Sequence, residues 1–158
     1  MEKIKRILAP TDLSELSQAG VRYALNLAKG FGAEVMIYHV IGYEELMHYD
    51  LLLGPLDHVV EKYEAALAGF LDEHFSDLLP LVEVRKKVEL GTPDDNIVGE
   101  AKKEGIDLIV ISTHGRTGLS HILMGSVTEK VVRHAPCPVL SIRPQAEDEA
   151  AEKVAAVA

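Results

Sequence analysis

Short apolar runs alternate with longer stretches in which apolar residues recur every three or four positions, and the alternation continues along most of the chain. Ile4 to Ala9 reads as a strand that breaks at Pro10-Thr11-Asp12. Asp12 or Ser14 can then cap a helix reaching Lys29, with Leu16, Ala19, Tyr23 and Leu27 at helical spacing and Gly30 and Gly32 closing it. Glu34 to Ile41 is a second strand, with Val35, Ile37 and Val40 apolar. The pattern lapses from Gly42 to Pro55, which reads as a long loop or a short irregular helix. Helical spacing returns from Asp57 to Leu79 through Val59, Val60, Tyr63, Leu67, Phe70, Leu71 and His74.

Leu81 to Leu90 sets Val82, Val84 and Val88 among charges, as an edge or half-exposed strand would. Thr92-Pro93-Asp94-Asp95 predicts a helix start: Thr92 as N-cap, Pro93 at the first helical position, and aspartates at the positive end of the dipole. Gly105 ends that helix. Leu108 to Ile111 is a continuous apolar run, the signature of a strand buried on both faces. Thr113 to Met124 reads as a loop, Ser126 to His134 as a short helix and Val139 to Ile142 as a last strand. Such alternation implies a parallel sheet with helices on both faces. One domain over 1–144 is expected, with 145–158 a flexible or weakly helical Ala- and Glu-rich tail.

Charge narrows the choice of partner. The net charge is −9, and a protein that displaces counterions from DNA or RNA needs a basic surface, so nucleic acid is not the expected partner. A nucleotide is not excluded, because backbone N–H groups hold phosphates without side-chain charge. The apolar runs are too short to cross a bilayer. The single cysteine, Cys137, forms no internal disulfide, and the N-terminal residues lack a secretory leader pattern. A cytoplasmic location is the expectation.

In an open parallel sheet, ligands bind beyond the carboxyl ends of the strands, where the winding reverses. After the first strand stands Pro10-Thr11-Asp12, and after the fourth stands Ser112-Thr113-His114-Gly115-Arg116-Thr117-Gly118, running on to Gly125-Ser126. Gly115 and Gly118 can take positive φ and admit close backbone approach. Ser126-Val127-Thr128-Glu129 matches a capping box at a helix start. A glycine-rich approach to a helix N-terminus is a phosphate cradle, though an ordinary capped helix uses the same parts. Asp12 likewise suits either a ligand contact or a plain helix cap.

Three blocks in order give a resemblance: Ile7-Leu8-Ala9-Pro10-Thr11-Asp12, Ser112 to Ser126, and His134-Ala135-Pro136-Cys137-Pro138-Val139-Leu140. Over positions 4 to 143 the chain resembles the ATP-binding branch of the universal stress protein family. That branch shows Gly, two residues, Gly, nine residues, then Gly followed by Ser or Thr. Here the frame falls on Ser112, Gly115, Gly125 and Ser126. The resemblance implies a five-stranded parallel sheet of order 3-2-1-4-5, of the adenine-nucleotide alpha hydrolase-like type. It also implies ATP as ligand, with a magnesium ion able to arrive on the nucleotide. Asp12, beside Pro10 and Thr11, would contact the ribose, and Val40 would flank adenine. Ser112, His114, Gly115, Arg116, Gly118, Gly125, Ser126, Val127 and Thr128 would form the phosphate segment, with Arg116 its cation. Ser112 departs from the motif glycine: a positive φ there would be strained, whereas its hydroxyl can add a hydrogen bond. A homodimer through Val139–Ile142 is implied as well.

Three functions compete: a nucleotide-dependent regulator or sensor in stress response, a slow ATPase or phosphotransferase, and an interaction protein without nucleotide. The lysine of Gly-x-x-x-x-Gly-Lys-Ser/Thr is absent and no base is recognisable, so at most slow hydrolysis is expected. The first-strand turn lacks a dinucleotide fingerprint. His114 and His121 lack metal-ligand spacing, and no protein-only metal site is expected. Cys137 reads as a small packed residue rather than a nucleophile. Met47 and Leu51 to Leu53 suit a lid, a partner contact or a folded-back loop.

Overall fold

A computed structural model describes residues 3–49, 55–115 and 124–145. The strands are β1 (Arg6–Pro10), β2 (Glu34–Ile41), β3 (Glu83–Leu90), β4 (Leu108–Ser112) and β5 (Val139–Ile142). The helices are α1 (Gln18–Phe31), α2 (Tyr43–Met47), α3 (Leu56–Phe75), α4 (Pro93–Lys103) and α5 (Ser126–His134). The five strands form one sheet in the order β3-β2-β1-β4-β5, parallel throughout, as the resemblance implies. Ile7 of β1 sits at the centre of the register, opposite Val35 of β2 and Leu108 of β4.

Alternate strand residues feed opposite faces. Ile7, Ala9, Val35, Ile37 and Val110 pack with Val21, Leu25, Leu67 and Phe75 of α1 and α3. Leu8, Met36, Tyr38, Val40, Ile109 and Ile111 pack with Ile97 and Ala101 of α4 and Val131 of α5. Burying a side chain such as Leu25 contributes about 1.5–3 kcal/mol, so the doubly covered central strands anchor the fold. Among the described residues, no helix is long and apolar enough to cross a membrane.

Several local expectations are corrected. The first helix starts at Gln18, not at Asp12 or Ser14. Leu13 adopts φ 65°, with its N–H on the Thr11 hydroxyl, and a turn through Ser17 delays the helix. The buried stripe of α1 is Gly20, Val21, Ala24, Leu25 and Ala28, while Tyr23 faces solvent. Small residues won this face because α1 lies close on β4: a Cβ at Gly20 would be 2.8 Å from the Ser112 nitrogen. α3 ends at Phe75, short of Leu79, and a 3-10 turn over Leu79–Leu81 takes up the first residue of the expected strand, which begins as β3 at Glu83. Thr92 precedes α4 as its N-cap without a side-chain cap, leaving Pro93 and the aspartates to mark the start. Leu51 to Leu53, Arg116 to His121 and the tail beyond Gln145 lie outside the described residues.

Candidate nucleotide cleft

At the carboxyl end of the sheet, where β1 and β4 send their connections to opposite faces, lies a cleft of about 620 Å³. Pro10, Thr11 and Asp12 line it from β1, and Val40 from the end of β2. Ser112, His114 and Gly115 line it from β4 and its loop, with Val127 and Thr128 from the start of α5. Nine of the residues chosen from the sequence therefore converge on one hollow from four parts of the chain.

Hydrogen bonds fix these walls. The Thr11 N–H donates to the Tyr38 carbonyl at 2.9 Å, and its hydroxyl pairs with Ser17 at 2.8 Å. Asp12 Oδ1 accepts the Ser14 N–H and hydroxyl, so the carboxylate does organise the turn after β1. Its other oxygen lies against Gly115, where any Cβ would overlap it. Gly115 is thus needed for space, because its φ is not among the positive ones. Ser112 holds no strained backbone either: its hydroxyl accepts the Gly20 N–H and donates to the Ser17 carbonyl. Thr128 donates to the Ser112 carbonyl at 2.8 Å and docks α5 on β4.

The proposed capping box is corrected. Gly125, not Ser126, is the N-cap of α5; it is extended at φ −67° and carries no side-chain cap. Its N–H donates to the Thr113 carbonyl at 2.6 Å, which places Ser126 one residue inside the helix with an exposed side chain. Glu129 pairs instead with Arg133. Gly125 and Ser126 stand beside the cleft rather than in its lining. Cys137 is half-buried and burial pushes its thiol up, away from the thiolate a nucleophile needs. Among the described residues, no three His, Cys, Asp or Glu side chains gather as a metal-binding group.

Other lining residues went unselected in the sequence. Tyr38, Pro93 and Ile97 add an apolar wall near Val40, and His39, Glu45 and Tyr63 close the opposite side. The Tyr38 hydroxyl donates to Glu89 at 2.6 Å, and burial, reinforced by that bond, pushes the phenol well above its ordinary value. Lys87 bridges Glu89 and Glu100, each at 2.8 Å. A lone histidine inside the apolar run of β2 was the available signal for His39.

This arrangement of strand ends and helix starts has counterparts. The model of the universal stress protein family matches residues 3–143. The chain belongs to the universal stress protein family. Universal stress protein MJ0577 of Methanocaldococcus jannaschii is 33% identical over 153 residues, covering 88% of this chain and 94% of that protein. Universal stress protein MJ0531 of the same organism is 35% identical over 144 residues, covering 88% and 82%. The solved structure of MJ0577 superposes with a TM-score of 0.73 at 30% identity, covering 91% of this chain and 99% of that one. UspA from Lactobacillus plantarum gives a TM-score of 0.74 at 28% identity, with coverages of 90% and 100%. A universal stress protein solved in complex with cAMP shares the fold at 20% identity and a TM-score of 0.60, with coverages of 91% and 100%. In this universal stress protein, the sheet order and the cleft at its switch point are the frame on which ligand contacts would be built.

Proposed function

We propose that this universal stress protein binds ATP in the cleft and acts as a nucleotide-dependent regulator or sensor in stress response. The observation that carries the reading is the single hollow joining Asp12 and Gly115 at the switch point to the apolar wall of Val40, Tyr38 and Ile97. Its volume of about 620 Å³ falls in the range of small-molecule sites. Adenine would lie along the apolar wall with the Val40 backbone beside it, the ribose near Asp12, and the phosphates toward Gly115 and α5. Ser126, Arg116 and Gly118 belong to the same phosphate segment in this reading. Any magnesium would arrive on the nucleotide, ligated mainly by phosphate oxygens and water.

Turnover is expected to be slow. Among the described residues, neither lysine nor arginine lines the cleft, so the charge developing in phosphoryl transfer has little to neutralise it there. The reading also places the protein in the cytoplasm and pairs it as a homodimer through Val139–Ile142, which forms an edge of the sheet. Titration calorimetry with ATP, ADP, GTP and cAMP tests the ligand. ATP is expected to bind more tightly than GTP, with cAMP included because a more distant family structure holds it. Absent or equal heats for all four would move the protein to the interaction branch of the family.

A further inference from the structure

α2 is the cleft wall that the core holds least. None of Tyr43–Met47 is buried, and from this helix Leu46 reaches the apolar core as a partly buried contact. Among the described residues, Glu45 supplies the polar tie of this helix to β2. One carboxylate oxygen accepts the Gly42 N–H at 2.8 Å, and the other lies 3.1 Å from His39 Nε2. The side chains of His39 and Glu45 are 2% and 11% exposed. On its other side the His39 ring meets the Thr11 carbonyl through Nδ1 at 2.8 Å and stacks on Tyr63 at 5.3 Å.

Thr11 immediately precedes Asp12, so His39 links α2 to the segment that carries the cleft carboxylate. The Thr11 carbonyl can only accept, so Nδ1 carries a hydrogen. The contact with Glu45 is then attractive when Nε2, or the carboxyl itself, holds another. At 3.1 Å it is a close contact without the alignment of a hydrogen bond. Among the described residues, the other ionisable groups lining the cleft are Tyr43, Glu44 and His48 at α2, Tyr63 of α3, Tyr38 of β2, Asp12 and His114.

We propose that His39 and Glu45 are positioning residues: a latch that holds α2 against the cleft and sets how long nucleotide stays bound. The nucleotide half of this inference rests on the function proposed above; the latch itself is readable without ligand. Hydrogen exchange on the ligand-free protein and stopped-flow release of ATP, run on Glu45→Ala, Glu45→Gln and His39→Gln, decide it. In Glu45→Ala, exchange across 43–49 and the ATP off-rate should each rise about tenfold or more, the scale of a lost charge-assisted contact. Exchange in α1 should stay unchanged. Glu45→Gln keeps an acceptor for Gly42 without the charge and should fall between. His39→Gln should raise exchange and the off-rate by less in the Glu45→Ala background than in the wild type, as expected of coupled partners. Should His39→Gln not fold, the two Glu45 variants carry the test. Unchanged exchange across 43–49 in Glu45→Ala overturns the latch, and raised exchange with an unaltered ATP off-rate overturns its link to binding. A wild-type protein that binds no ATP, yet loses protection across 43–49 in Glu45→Ala, overturns the nucleotide half and supports the mechanical one.

Discussion

The Ser112 hydroxyl accepts the backbone N–H of Gly20 at 2.9 Å and donates to the Ser17 carbonyl at 3.3 Å. Gly20 lies in the first turn of α1, where backbone N–H groups have no partner within the helix. A residue from β4, the strand on which α1 packs, therefore caps the helix, at the position where the motif of the resembled ATP-binding branch has glycine. Ser112→Gly should lower stability by about 1–2 kcal/mol through the lost bond and added chain entropy, with ATP affinity little changed. Gly20→Ala should cost about 1–3 kcal/mol by forcing a methyl onto Ser112. Urea unfolding and calorimetry separate the two readouts. A Ser112→Gly protein as stable as wild type would contradict the cap.

Gly115 offers a sharper test of the cleft. A methyl at this position collides with the Asp12 carboxylate, so Gly115→Ala should weaken ATP binding about tenfold or more by displacing one of the two segments. Adding Asp12→Ala removes the collision. The double variant should then show a smaller effect of the Gly115 change than wild type does, measured as a coupling energy by titration.

At the start of α5, Gly125→Val should abolish ATP binding while leaving the fold largely intact. The reason is steric: Gly125 has ordinary negative φ, but its added Cβ would sit 3.1 Å from the Thr113 carbonyl. Ser126→Ala should cost only about 0.5–1.5 kcal/mol of binding, the net value of one hydroxyl. Calorimetry on both, with circular dichroism as the fold control, tells the phosphate segment from a bystander helix.

Lys87 faces Glu100, whose side chain is 4% exposed. Lys87→Met should destabilise the protein by about 1–3 kcal/mol by leaving that carboxylate without its nearest cation. Burial works to lower the Lys87 ammonium, yet its bonds to Glu100 and Glu89 win and raise it. Burial works to raise Glu89, yet Lys87 and Tyr38 hold it below the usual range. The lysine contribution is present below the unfolded value of about 10.4 and fades as pH rises through the raised one; the Glu89 contribution is present above about 4.3 and fades as pH falls through the lowered one. The stability gap between wild type and Lys87→Met should be widest between those limits and narrow at both ends, by thermal melts across pH.

The proposed dimer is tested by light scattering on Leu140→Asp and Ile142→Asp. Either charge on β5 should yield monomers if pairing runs through this strand, and a dimer that survives both places the interface elsewhere.

The central strands were legible because their apolar runs are short, separated and buried, and Ile4 to Ala9 and Leu108 to Ile111 overlap β1 (Arg6–Pro10) and β4 (Leu108–Ser112). The start of α1 was not, because Asp12 and Ser14 are good caps that here cap a turn instead. Its buried face was misread at Tyr23, which is far larger than the alanines yet faces solvent, while closeness to β4 selects small residues; Leu16 is buried, but in the turn ahead of the helix. At the site, Gly115 and Asp12 were visible as residue types, but their mutual contact belongs to the sheet order and not to either segment. His39 escaped for the opposite reason: its partners, Thr11, Glu45 and Tyr63, are distant in sequence or reached only through the turn into α2.

The sheet has unlike borders. β3 exposes Glu83, Arg85 and Lys86, and Arg85 is tied to Glu34 and Glu104. β5 offers Val139, Leu140 and Ile142 with no charge between them. In the proposed dimer, union through β5 would use up the uncharged border described on each copy and leave charged β3 borders facing outward. Growth by strand addition would then terminate after a single step, giving a closed pair rather than a filament.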